Sequence, residues 1–303
     1  MDFQNLFRMQ GMLFLVMLLG FLLKRIGMIH EGNKGLLSDL VVNVTLPCSI
    51  IKAFEMEFSG EILKSCIVIL AVAVGIQVGT YLLAEILYRG VETSHKKVLQ
   101  YATICSNAGI LGNPIAEGIY GALGLLYASF YLIPQRTFMW SMGLTYFTQA
   151  PNRRTLVKKV ATHPCIIAVA IGMVLMIFQI RLPGALEQTV QTLAGANTAV
   201  SMLFIGTILT GVSFADLWSP LTLYYDAIRL FLIPLLLWVC LRAFQVDSLV
   251  TGVSVVLAAM PAASVTAILA SKYHCDEVFA TKCVVSSTLL SMVTVPAWCI
   301  FLG

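Results

Sequence analysis

Apolar runs of about 20 residues, the length that crosses a hydrocarbon core as an α-helix, follow one another along this chain between short polar connections. The pattern predicts ten such spans: residues 5–27, 35–54, 66–88, 98–121 and 125–147, then 164–180, 189–212, 221–244, 249–273 and 278–302. The fourth reads as two half-helices rather than one. Its centre is TICSNAGILGNPIAEGIY, Thr103 to Tyr120, in which Ser106, Asn107, Gly109, Gly112, Asn113 and Pro114 crowd together. Glycine weakens a helix through its backbone freedom, Pro114 removes an amide donor, and Asn113 is suited to cap a helix that Pro114 begins. Backbone broken at the midplane leaves polar groups that cost several kcal/mol each against lipid, so it must be buried in protein or line a watery cavity. Secondary transporters bind substrate at discontinuous helices of this kind. The other reading is a glycine-kinked but continuous span.

Sliding the chain on itself by about 153 residues lays this segment on the ninth span, where VLAAMPAASVTAILASKY again interrupts an apolar run with Pro261, Ser264 and Thr266. The second span, with Asn43 and Pro47, falls on the seventh, with Val200 and Ser201. Five spans per half is an odd number, so the halves, residues 1–150 and 151–303, must be inserted in opposite senses. The expected fold is therefore all-α: ten transmembrane helices in two inverted five-helix repeats, with broken crossing helices at spans 4 and 9. Inverted repeats broken at matching positions point to a transporter's binding site. A duplicated bundle with no transport role is the competing reading.

Composition narrows the class. With 59% hydrophobic residues, 11% charged and a mean hydropathy of +0.89, the chain has far more apolar side chains than a water-soluble core could hold. Gly11 to Leu23 is followed by Lys24 and Arg25 rather than by small residues, so it is expected to stay as the first span and not to be cleaved as a signal. With the N-terminus outside, twelve Lys and Arg fall on the cytoplasmic side and four (Arg8, Lys64, Arg181, Arg242) on the other, which predicts a multi-pass protein of the cell membrane with both termini extracytoplasmic. The connection carrying Asp216 has no cation and dissents mildly. The eight cysteines lack CxxC spacing and read as small buried hydrophobes. His30, His95, His163 and His274 fall in or beside loops, which leaves no intramembrane metal site or enzyme base, and Tyr225-Asp226 lacks an aspartyl-protease partner motif. The reading is thus not an enzyme, with no cofactor, no metal and no nucleic-acid partner.

Charge inside a span costs about 2.5 to 3.5 kcal/mol on insertion scales, so each instance needs a partner or a task. Asp226 and Arg229 are three apart, Glu85 and Arg89 four apart, and Lys52 can reach Glu55, so mutual ion pairs account for these. Asp39 reads as solvated or capping. Arg136, beside Pro134 and Gln135 in a span without a carboxylate, has no such local partner, and a guanidinium matches carboxylates bidentately. It is a candidate for attracting substrate, or else a structural contact to Glu117 or to carbonyls of the break. Half-helices beginning at Pro114 and Pro261 aim positive dipole ends at the midplane, which favours an anion. Glu117 shares a face with Asn113; protonated, it would not repel an anionic substrate, and that makes it the candidate for coupling to protons.

The segment from Ser106 through Gly112 to Pro114, the GLLYASFYL run after it, LPCSIIKAF in span 2, RLFLIPLL in span 8, and AAMPAASVTAILASKY followed by SSTLLSMVTVPAW resemble the bacterial branch of the auxin efflux carrier family. That group includes malonate and malate permeases and is similar in architecture to bile acid sodium symporters. The resemblance implies a scaffold of spans 1, 2, 6 and 7, and a mobile domain of spans 3–5 and 8–10 whose crossing helices hold a small organic anion. It also implies an elevator-type secondary active transporter, coupled to protons or sodium, surrounded by membrane lipid and paired as a homodimer. The substrate-binding candidates are Asn43, Asn107, Gly109, Asn113, Pro114, Gln135, Arg136, Pro261, Ser264 and Thr266, with Glu117 for coupling. Ser201 stands where the family's proline is expected, and Pro134, Gln135 and Arg136 make span 5 more charged than in other members. An anion channel or a ligand-sensing membrane protein on the same fold is the alternative function.

Overall fold

The computed structural model describes residues 3–55, 59–140, 142–147, 153–210, 217–273 and 275–302; Glu57, Asp216 and His274 lie outside them. Every regular element among these residues is helical. In chain order they are α1 (Phe3–Arg25), α2 (Glu31–Leu40, Val41–Thr45 and Leu46–Ala53 in one run), α3 (Gly60–Leu87), α4 (Thr93–Ile104) and α5 (Ala108–Gly112 continuing through 113–120). Then follow α6 (122–140), α7 (Arg153–Ala161), α8 (Pro164–Ile177), α9 (Gly184–Ile208) and α10 (Pro220–Ala227, Ile228–Leu232 and Ile233–Ala243). The series closes with α11 (Ser248–Ala258), α12 (Val265–Lys272) and α13 (Glu277–Leu302). Among the described residues, four helical stretches are long and apolar enough to cross a membrane, Gly35–Ala53, Gly60–Leu87, Pro220–Ala243 and Glu277–Leu302, and a further apolar run takes in α5 and α6. The protein is an all-helical, multi-pass membrane protein.

Three helices widen into a single π turn: Val41–Thr45, Ala108–Gly112 and Ile228–Leu232. Each ends two residues before a proline, at Pro47, Pro114 and Pro234. A proline inside a helix lacks an amide donor and crowds the carbonyl four residues back; an i→i+5 turn just ahead makes room for it. Gly121 separates α5 from α6 with φ 65° and ψ −153°, a backbone conformation only glycine adopts cheaply. The central basic stretch, expected as a loop, contains the short helix α7.

Helices α1, α2, α8 and α9 pack on one another. At Gly20 and Gly206 the backbones of α1 and α9 touch so closely that a Cβ on either glycine would overlap the other helix's main chain. Most cysteines are buried as expected, but Cys240 is exposed on α10.

Among the described residues none of the three predicted ion pairs closes into direct contact, each for a local reason, although the Lys52 charge still acts on Glu55. α3 ends at Leu87, so Arg89 leaves the helix before it can share a face with Glu85. Likewise α2 ends at Ala53, and Glu55 beyond it is held above the ordinary carboxylate range by burial and then by Glu187. In α10 the π turn beginning at Ile228 changes the angular offset, so Asp226 turns to α13 and accepts from Ser286 Oγ at 3.2 Å, while Arg229 turns to α4.

Candidate functional site

Helix α4 stops at Ile104 because Cys105 is extended (φ −106°, ψ 109°), and α5 starts at Ala108. Helix α11 stops at Ala258, and α12 starts at Val265. The two breaks meet. Asn107 N donates to Pro261 O at 2.8 Å, and Ala263 N donates to Cys105 O at 3.1 Å, forming an antiparallel bridge between Ser106 and Ala262. Exchanging Asn107 with Ala263 and Cys105 with Pro261 turns one bond into the other, a local two-fold. Each break thus satisfies backbone groups that would otherwise be stranded in the membrane. The sequence register put Ala259 opposite Ser106; the bridge chooses Ala262, three residues further on.

Neighbouring helices hold the bridge from both sides. Gln135 of α6 clamps the first break twice: Ser106 Oγ donates to its Oε1 at 2.9 Å, and its Nε2 donates to Ser106 O at 2.7 Å. Ser287 of α13 holds the second once, its Oγ accepting from Ala262 N at 3.1 Å. The C-terminal carbonyls of α4 are met by α10, Tyr225 Oη donating to Ala102 O at 3.2 Å and Arg229 Nη1 to Thr103 O at 3.4 Å. Arg229 is therefore a cation at the negative end of a half-helix, which gives it a stabilising environment without an acid.

A cavity of about 90 Å³ opens beside the bridge. Of the candidates from sequence, Asn107, Gly109, Gln135, Arg136 and Ser264 line it, with Ser106. Arg136 is only 6% exposed and its Nη1 has no partner, and Asn107, 4% exposed, has an unpartnered Nδ2. Buried polar atoms are nearly always hydrogen-bonded, so these two donors on one cavity are available to an acceptor placed there. No carboxylate among the described residues pairs with Arg136. Gly109 and Ile110 at the start of α5, and Ser264 and Val265 at the start of α12, also border the cavity. The first amides of a helix have no partner within it and carry partial positive charge.

The remaining candidates lie elsewhere. Asn113 and Thr266 are fully buried with unpartnered side-chain atoms but do not border the cavity. Asn43 is exposed and donates to Asp39 O at 2.9 Å, and Pro114 is buried behind the π turn. Pro261 contributes its carbonyl to the bridge rather than a wall. Glu117 is half-buried, and the charge acting on it is Lys52, not Arg136.

Sequence reasoning missed the part of the lining that comes from α2 (Val42, Leu46) and the start of α8 (His163, Cys165). His163 precedes the membrane-crossing helix and caps it, Nδ1 accepting from Cys165 N at 3.3 Å. Burial, and after it the charge of Arg136, push this imidazole down to about 4. A His-Pro pair at the head of an apolar run is a cap signal that could have singled it out.

A family model described as "Membrane transport protein" matches residues 11–159 and 152–299. Curated relatives align over nearly the full length. An "Uncharacterized transporter" of Methanothermobacter thermautotrophicus is 27% identical over 291 residues, 95% of each chain. "Uncharacterized transporter MJ1031" of Methanocaldococcus jannaschii is 22% identical over 94% of each, and "Uncharacterized transporter YfdV" of Escherichia coli 24% over 93% of each.

Proposed function

We infer what the site does from one premise: the chain belongs to the membrane transport protein family, the auxin efflux carrier-like group that its sequence resembles. Its cargo, in our reading, is a small organic anion, a mono- or dicarboxylate. The observation that carries this is the pair of unpartnered buried donors, Asn107 Nδ2 and Arg136 Nη1, on a cavity bordered by two helix N-termini. A carboxylate offers two acceptor oxygens to such a set, and its charge offsets a guanidinium that has no acid beside it.

The mechanism we assign is elevator-type secondary active transport. The ten spans are counted as α1, α2, α3, α4 with α5, α6, α8, α9, α10, α11 with α12, and α13, an inverted five-plus-five repeat in the cell membrane with both termini outside. Helices α1, α2, α8 and α9 form the scaffold of a homodimer, and the bridge with its flanking helices moves against it. The position of the cavity between the bridge and α2 and α8 supports this division, because a substrate held there would sit where the two bodies meet. Glu117 is not our choice for coupling, since it lies off the cavity beside Lys52.

The test is thermal stabilisation of the purified protein by acetate, pyruvate, malonate, malate and succinate. A ligand at about 100 times its Kd adds about 2.7 kcal/mol of stability. A shift for at least one carboxylate and none for sodium chloride of equal ionic strength is expected; no shift for any would refute the anion reading. Substrate counterflow in proteoliposomes separates a carrier from a channel or sensor, since only a carrier exchanges labelled for unlabelled solute.

A further inference from the structure

We propose that His163 is a titrating member of the substrate site, taking up a proton together with the carboxylate from the part of the cavity lining that α2 and α8 supply. This rests on the carboxylate reading above and names a coupling group for it. The cavity has two kinds of wall. The breaks and α6 supply Asn107 and Arg136, while α2 and α8 supply Val42, Leu46, Cys165 and His163. On that second wall His163 is the one side chain able to become a cation.

In the empty site burial comes first in keeping the imidazole neutral, and two further things add to it. Its Nδ1 accepts the amide of Cys165, so the ring proton sits on Nε2, and protonating Nδ1 would break the cap of α8. The guanidinium of Arg136 on α6 also opposes a second positive charge nearby. Cys165 is the other titratable group here, on the same helix; α2 presents Val42 and Leu46, α12 presents Ser264 and Val265, and none of the lining residues is acidic. A carboxylate between Arg136 and His163 reverses the balance. It cancels much of the guanidinium's field and offers an acceptor to the ring. Anion binding therefore makes the proton easier to hold, and by reciprocity the proton makes the anion bind more tightly.

The sign follows from the free site, where the imidazole titrates at about 4. Binding raises that value, so affinity must increase as pH falls through the bound-state value and level off below the free one. If binding returns the group to its ordinary value of about 6.5, affinity at about pH 5.5 is about tenfold that at about pH 7.5.

The experiment measures stabilisation by the same five carboxylates at about pH 7.5, 6.5 and 5.5, in wild type and in His163→Asn. Asparagine keeps an oxygen to cap α8 but has nothing to titrate. The expected result is tightening with acid in wild type and a flatter curve in the variant, each carboxylate's own protonation being common to both. Parallel curves overturn the role of His163 and leave the anion site standing. Absence of any carboxylate effect in wild type at every pH sinks both. Should the variant not fold, calorimetric titration of wild type in buffers of different ionisation enthalpy decides: proton uptake on binding supports the proposal, and none at about pH 6 overturns it.

Discussion

The break at Cys105–Asn107 and the break at Ala259–Ser264 are joined by the same pair of backbone bonds, yet the side chains around them divide the work unequally. The first has a buried glutamine bonded twice to Ser106, an orphan amide on Asn107 and an unpaired arginine above it. The second runs through buried Ala259, Met260, Pro261, Ala262 and Ala263, and one serine hydroxyl steadies it. A shared fold solves the shared problem, which is unpaired backbone in a membrane. Chemistry then needs to be placed on only one of the two copies, and the other can be a neutral support.

That contrast makes the effects of substitution unequal too. The largest is expected at Arg136→Gln, which removes the charge facing the anion: carboxylate affinity should fall by about 2 to 5 kcal/mol while the melting temperature without ligand changes little. Arg136→Lys should recover only part, since a compact ammonium lacks the planar fork. Unchanged affinity in the glutamine variant would return Arg136 to a structural role and erase the difference between the breaks. Next comes Asn107→Ala, expected to cost about 1.5 to 3 kcal/mol of binding as one hydrogen bond to a charged acceptor is lost. Asn107's counterpart is Ala263, so the test at the second break is the polar side chain next to it, Ser264→Ala, which should cost clearly less; equal losses would mean that both breaks recognise the substrate.

Support rather than recognition is probed by the clamps. Gln135→Met keeps the volume but strands Ser106 Oγ and its carbonyl, so unfolding measured by denaturant or heat should show a loss of about 1 to 3 kcal/mol. The smallest effect belongs to Ser287→Ala, about 1 kcal/mol of stability with carboxylate affinity nearly intact. A large loss of affinity there would show that the second break is more than a support.

Much of this was legible in the chain before folding. Gly109, Gly112 and Pro114 pointed to the right apolar run, and Pro261 on the matching run identified its partner, but the break itself lies ahead of them at Cys105–Asn107 and the π turn lets α5 continue through all three. Arg136 stood out because an apolar span with one cation and no acid needs an explanation. What was not legible depends on where helices end or change pitch. Asp226 and Arg229 are three apart, and only the π turn sends them to different neighbours. His163 is a loop residue by sequence, and only the packing of α8 beside α6 brings it to Arg136. The clamp by Gln135 requires α6 to present that amide exactly where α4 stops, a relation between helices that no local pattern encodes.

The unpaired guanidinium also has an electrical meaning. While the site is empty Arg136 leaves it with one uncompensated positive charge, and a bound dicarboxylate together with the proton taken up on His163 brings that charge to zero. A body that carries the site across the membrane field therefore does work against the potential in one form and not in the other, up to about 2.3 kcal/mol per charge for a full crossing at about 100 mV. Voltage would then act on the return of the empty carrier, leaving the step loaded with a dicarboxylate nearly indifferent, whereas a monocarboxylate with its proton would leave one charge on both steps. The charge moved per cycle, read as current from oriented proteoliposomes, would tell monocarboxylate from dicarboxylate cargo.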